Sequence, residues 1–255
     1  QTEAFGCGLH ELLKATGVHG VLNGVDPSEW SPLTDPHLPA NYSARDRDGK
    51  DECRRQLLVQ AGWAPDEAGV LFGVVTRLAE QKGVDWILDS LGALEGMNAR
   101  LILLGNGDPD LEAALRRAAE AQPDRLYADI RFDSPMSHRI IAGADAFLIP
   151  SRFEPCGLTQ MYAMRYGTVP VVNPVGGLAN TVFDHGIASD ANGVHMHTAD
   201  AAGLVDAMSR ASALWNTDRA AWRQLVDAGF AFDSSWTRSA ERYCALFRSL
   251  LKATN

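Results

Sequence analysis

Val70-Leu71-Phe72-Gly73-Val74-Val75-Thr76 is a short apolar, β-branched run that stops at Arg77, and a helical pattern over residues 83–94 follows it. A run with so few polar positions suits a strand buried on both faces. Similar runs recur at 100–104, 126–132, 146–149 and 168–172, and helical patterns at 108–121, 137–143 and 157–166 separate them. Apolar strands joined by helices predict a parallel sheet with right-handed crossovers. Three more helices are expected near 199–215, 220–230 and 239–251. The expected fold is therefore α/β, a doubly wound, Rossmann-like parallel sheet with helical additions. In such a sheet ligands bind beyond the carboxyl ends of the strands, so the loops there are where function is sought.

Upstream, residues 1–68 are dense in Gly, Pro and Asn and read as an interdomain connector and linker, broken by one helix near 50–60. Residues 69–255 are expected to form the ligand-binding domain. The chain has 255 residues, 46% hydrophobic and 22% charged, which suits a globular protein with a substantial core. A net charge of −9 argues against a nucleic-acid partner, which calls for a basic excess. No apolar run is long enough for a membrane span. The four cysteines, Cys7, Cys53, Cys156 and Cys244, lie far apart, which fits a reducing cytoplasm better than a disulfide or zinc scaffold. The opening Gln1-Thr2-Glu3-Ala4-Phe5 has neither an initiator Met nor the marks of a signal peptide, and it reads as an internal start.

Four loops after expected strands carry candidate chemistry. The first, residues 76–83, sets Arg77 and Lys82 around a helix start, where free N–H groups favour an anion. A diphosphate clamp and two solvated surface charges both fit that spacing. The second, Gly105-Asn106-Gly107-Asp108-Pro109, is explained by an Asp N-cap and a Pro at the first helical position. The third, Pro150-Ser151-Arg152-Phe153-Glu154-Pro155-Cys156-Gly157-Leu158-Thr159-Gln160, puts an acid and a tight turn before a helix. Glu154 there suits sugar hydroxyls, or it caps the helix beside a buried thiol. The fourth, Asn173-Pro174-Val175-Gly176-Gly177-Leu178, suits close backbone approach to an anion or a sharp turn.

Residues 77–83, 151–160 and 176–178 together resemble the motifs of glycogen and bacterial starch synthases. Stretches 22–26, 35–43, 137–139 and 165–170 do so too, and the similarity runs over essentially the whole chain. The string Arg152-Phe153-Glu154-Pro155-Cys156-Gly157-Leu158-Thr159-Gln160 is specific to these synthases. The resemblance implies a two-lobed GT-B glycosyltransferase of which this chain is the C-terminal, donor-binding lobe. It implies ADP-glucose as donor, transfer with retention to the non-reducing end of an α-1,4-glucan, and no cofactor. Arg77 and Lys82 would bind the diphosphate, and Glu154 would contact the glucose and support the developing positive charge. Phe132 would lie against the adenine. Cys156, Gly157, Leu158 and Thr159 would turn backbone N–H groups toward sugar or phosphate, with Gly176 and Gly177 beside them. The N-terminal lobe, with the glucan surface and a catalytic His, would be a missing partner. A silent nucleotide-sugar-binding module and a UDP-glucose-dependent transferase are the alternatives.

Departures from the pattern are specific. Tyr162 stands where the wider superfamily has a second Glu, Phe132 where the family commonly has Tyr, and Val175 where Thr is usual. Residues 1–6 resemble an interdomain motif but lack its Pro-Glu centre. His138 is expected to pack or to bond a loop. His195 and His197 alternate on one strand face, a spacing that suits a ligand pair, but no third ligand is near, and no metal is expected.

Overall fold

The strands form where the apolar runs place them: β1 Leu71–Val75, β2 Arg100–Leu104, β3 Leu126–Asp129, β4 Ala146–Ile149 and β5 Val169–Val172. A two-residue β6, Val194–His195, completes a sheet of order β3-β2-β1-β4-β5-β6, with every neighbour parallel. β3 stops at Asp129 rather than running to residue 132. The computed structural model from which this is taken describes residues 8–253, so the motif-like opening at 1–6 lies outside the described residues.

The helices are α1 His10–Thr16, α2 Asp48–Gln60, α3 Val84–Ser90, α4 Pro109–Ala121, α5 Ser134–Gly143, α6 Thr159–Arg165, α7 Gly177–Thr181, α8 Ala201–Thr217, α9 Arg219–Ala231 and α10 Trp236–Ala253. Asp108 caps α4, its side chain accepting from the N–H groups of Asp110 and Leu111. α5 starts earlier than expected because Asp133 caps it, accepting from Met136 N at 2.9 Å, with Pro135 in the first turn.

Alternate residues of each strand enter opposite cores, as the period of two demands. Phe72, Val74, Leu101, Leu103, Leu148 and Val171 pack with residues of α3, α4, α8 and α9. Leu71, Ile102, Leu104, Phe147 and Val172 face α2, α5 and α6. At Gly73 a side chain would meet Ala144 Cβ at 2.9 Å and Ile140 Cγ2 at 3.0 Å, so glycine lets this second layer sit close to β1.

The region read as a linker packs more deeply than its composition indicates. Trp30 is stacked between His138, 3.9 Å away, and Tyr162, 3.8 Å away. Buried Asp35 accepts from Tyr166 Oη at 2.5 Å and pairs with His138 Nδ1 at 2.7 Å. Further along, the Lys50 ammonium reaches the carbonyls of Ala142, Ala144 and Tyr166 and the Thr168 hydroxyl at 2.8–3.1 Å. Arg54 pairs with buried Asp145, which also accepts from Leu71 N at the entry to β1. Burial raises the Asp145 carboxyl above its ordinary value against the pull of Arg54. The packing therefore divides not at residue 68 but into Val25–Ser234 as one compact unit and residues 8–24 with 235–253 as another. Within the smaller unit Ser239 Oγ donates to Leu22 O at 2.8 Å.

Candidate active site

Strand order reverses between β1 and β4, and the loops leaving those two strands form the crevice where α/β sheets bind ligands. Lys82 comes from the β1 loop and Glu154 from the β4 loop. Their charged groups meet, Nζ to Oε2 at 2.5 Å, in a partly covered position with side chains 25% and 12% exposed. Ser151, buried at the end of β4, places its Oγ 3.4 Å from the same carboxylate oxygen. Beside them Arg77, Lys82, Ser151 and Thr159 line a cavity of about 190 Å³. Arg77 is steered by Gln81, to which it donates at 2.9 Å, while Gln81 donates in turn to Phe153 O at 3.1 Å.

The β4 loop is held by several anchors. Arg152 forks onto Asp85 at the start of α3 with bonds of 2.7 and 2.6 Å, and it lies over the Trp86 ring at 4.1 Å. That fork keeps the Asp85 carboxyl below its ordinary pKa. Asn173, buried after β5, donates to Ser151 O at 2.9 Å. Gln160 folds back onto the carbonyls of Cys156 and Gly157 and onto Thr181 Oγ1.

The glycine pair gives a further anchor. A side chain at Gly176 would lie 2.1 Å from Glu154 O, and one at Gly177 1.9 Å from Cys156 O. The Gly177 N–H donates to Glu154 O at 2.9 Å. These glycines are thus needed for contact between two loops, and the Gly177 N–H is engaged within the protein. They set the position of the Glu154 backbone.

The structure brings Arg77, Lys82, Glu154 and Thr159 together, with Cys156, Gly157 and Leu158 in the turn leading to α6. Leu158 precedes that helix without a side-chain cap. Phe132 stands apart, 83% exposed, in the loop after β3, two strands from β1. Tyr162, at the position of the superfamily's second Glu, packs on Trp30, so this departure has a structural use. His195 Nε2 lies 2.9 Å from Val182 O, and no group of three metal-ligating side chains occurs among the described residues. Gln81, Asp85, Ser151 and Asn173 were given no role from sequence: Gln81, Ser151 and Asn173 lie within the candidate loops and Asp85 just beyond the first, but their contacts run between loops, which local pattern does not encode.

Fold and site together define a Rossmann-like lobe of the GT-B type, with a cation–carboxylate pair at its switch point. The chain belongs to the glycosyl transferases group 1 family, whose pattern matches residues 69–213. It is 49% identical over 248 residues to a glycogen synthase of Anaeromyxobacter sp. (strain Fw109-5), covering 96% of this chain and 52% of that one. It is 46% identical over 259 residues to a glycogen synthase of Aromatoleum aromaticum, with 99% and 52% covered. Among solved structures it superposes with TM-score 0.90 at 36% identity on the catalytic domain of starch synthase IV from Arabidopsis thaliana, bound to ADP and acarbose, over 97% of this chain and 52% of that one. The chain spans about half the length of the curated relatives it matches. Among the described residues no helix is long and apolar enough to cross a membrane.

Proposed function

We propose that this chain is the C-terminal, donor-binding lobe of a glycogen or starch synthase that moves glucose from ADP-glucose to the non-reducing end of an α-1,4-glucan. The observation that carries the reading is the Lys82–Glu154 pair beside the cavity lined by Arg77. The diphosphate lies on Arg77 and Lys82, whose charges stabilise ADP as it departs. Glu154, freed from Lys82 by the incoming phosphate, faces the glucose and the positive charge that develops at its anomeric carbon. The bond from that carbon to the diphosphate oxygen breaks with its electron pair going to ADP. The acceptor hydroxyl forms the new bond on the same face and gives its proton to the departing phosphate, so configuration is retained. ADP and acarbose on the starch synthase IV neighbour support both ligand classes.

One lobe supplies one wall. Orienting the acceptor and excluding water call for a second lobe over the sugar, and the relatives' double length supports that division of labour. The reading is tested by calorimetry with ADP and with UDP, and by incorporation of labelled glucose into glycogen. ADP is expected to bind the chain at least tenfold more tightly than UDP, without glucan elongation. Equal affinity would favour the UDP-glucose alternative, and turnover by the chain alone would overturn the division between lobes.

A further inference from the structure

At the other end of the strands, between the entry to β4 and the first turns of α2 and α9, lies a cavity of about 410 Å³. Its walls carry five cations and two carboxylates, in a chain whose net charge is −9. Three of the cations are committed. Arg54 pairs with Asp145, Arg47 with Asp227, and the Lys50 ammonium is taken up by carbonyls and a hydroxyl. Arg219 and Arg223 are not: among the described residues neither reaches a carboxylate within ion-pair distance. Arg219 is stacked on the Trp215 ring at 3.5 Å, and Arg223, one turn along, donates to the Arg219 carbonyl at 3.3 Å.

These two guanidinium groups are exposed on one face of α9, at the cavity whose inner wall holds Arg54 and Lys50. We propose that this cavity is a second ligand site, which takes the phosphate of a small phosphorylated molecule on Arg219 and Arg223. Planar guanidinium forks match phosphate oxygens, and the cavity falls in the size range of small-molecule sites. The fold keeps like charges close here. Arg219 is held below its usual pKa by burial and, against the attraction of Asp145, by Arg54 and Arg223. Burial likewise brings Lys50 down to about 8, with Arg47 adding to the effect. A dianion relieves that repulsion. The site is separate from the donor crevice, because Asp145 enters β4 while Ser151 and Glu154 leave it, and four residues of strand span about 13 Å. Occupants of the two sites do not collide.

The test uses ribose 5-phosphate and inorganic phosphate as probes, titrated calorimetrically at constant ionic strength into the Arg77→Ala/Lys82→Ala variant, so that the donor crevice does not contribute. Ribose 5-phosphate is expected to bind more tightly than inorganic phosphate. Adding Arg219→Gln and Arg223→Gln is expected to weaken it at least tenfold. Arg223→Glu alone, which leaves the Arg219–Trp215 stack in place, should do the same with an unchanged melting temperature. Binding no tighter than that of inorganic phosphate, or unaffected by these substitutions, would overturn the proposal.

Discussion

Lys50 and Lys82 sit at opposite ends of the same sheet, and the contrast between them separates architecture from chemistry. Lys50, at the amino edge, uses its ammonium on three carbonyls and a hydroxyl. Nothing remains to give a ligand, and its neighbours are backbone groups that must otherwise go unsatisfied. Lys82, at the carboxyl edge, has one partner among the described residues, the Glu154 carboxylate, in a crevice still open to solvent. An ammonium with three donors and one partner keeps capacity for an incoming anion. A charge that meets many neutral backbone acceptors holds the fold together. A charge balanced by one movable opposite charge is available for exchange.

That contrast can be broken by substitution. Its largest test is Glu154→Gln in the two-lobed protein, where turnover should fall by roughly a hundredfold or more, since the lost charge acts on the transition state. ADP affinity should hold within about threefold, because Lys82 loses a competitor and not a ligand. A parallel loss of ADP binding would place Glu154 with the nucleotide or the fold. Next comes Lys50→Met, expected to lower unfolding free energy in urea by about 3 kcal/mol, the cost of stranding buried carbonyls. ADP affinity measured well below the melting temperature should stay the same. A stable Lys50→Met protein with weakened ADP binding would invert the roles of the two lysines. Arg77→Ala and Lys82→Ala should each weaken ADP about ten- to a hundredfold with little change in melting temperature. Unchanged calorimetric affinity in both would reject the clamp. The smallest effect is expected of Arg152→Lys, which cannot fork onto Asp85. A loss of about fivefold or less in ADP affinity should follow from a looser β4 loop, and a hundredfold loss would mean that Arg152 touches the ligand.

The parallel sheet was legible because its signal is local: β2 and β4 fall on the expected residues, and Asp108 and Pro109 announce the start of α4. The loops after β1, β4 and β5 could be picked out for the same reason, with topology supplying their common edge. What could not be read depends on partners far along the chain. Asp35 meets His138 and Tyr166 at separations of 103 and 131 residues, so a Pro-rich stretch that looks like linker is part of the core. β6, with only two residues, and α7, with five, are too short to show a period. The Gly176-Gly177 turn left two readings open, and neither contains the close approach of the Glu154 and Cys156 carbonyls, which lie far along the chain.

The switch point also bears on how the molecule assembles. Lys82 and Glu154 are 72 residues apart and come into register only when β4 docks on β1, pairing Ala146 with Phe72 and Phe147 with Gly73. The β1–β2–β3 half is built from contacts nearer in sequence, whereas β1–β4 pairing joins strands much farther apart along the chain. A chain in which only that half had formed would hold Arg77 and Lys82 but no opposing carboxylate and no floor from Ser151 and Thr159. A ligand of this crevice therefore gains most of its binding energy after the halves of the sheet have met. It slows unfolding of the finished lobe without hastening the step that builds it.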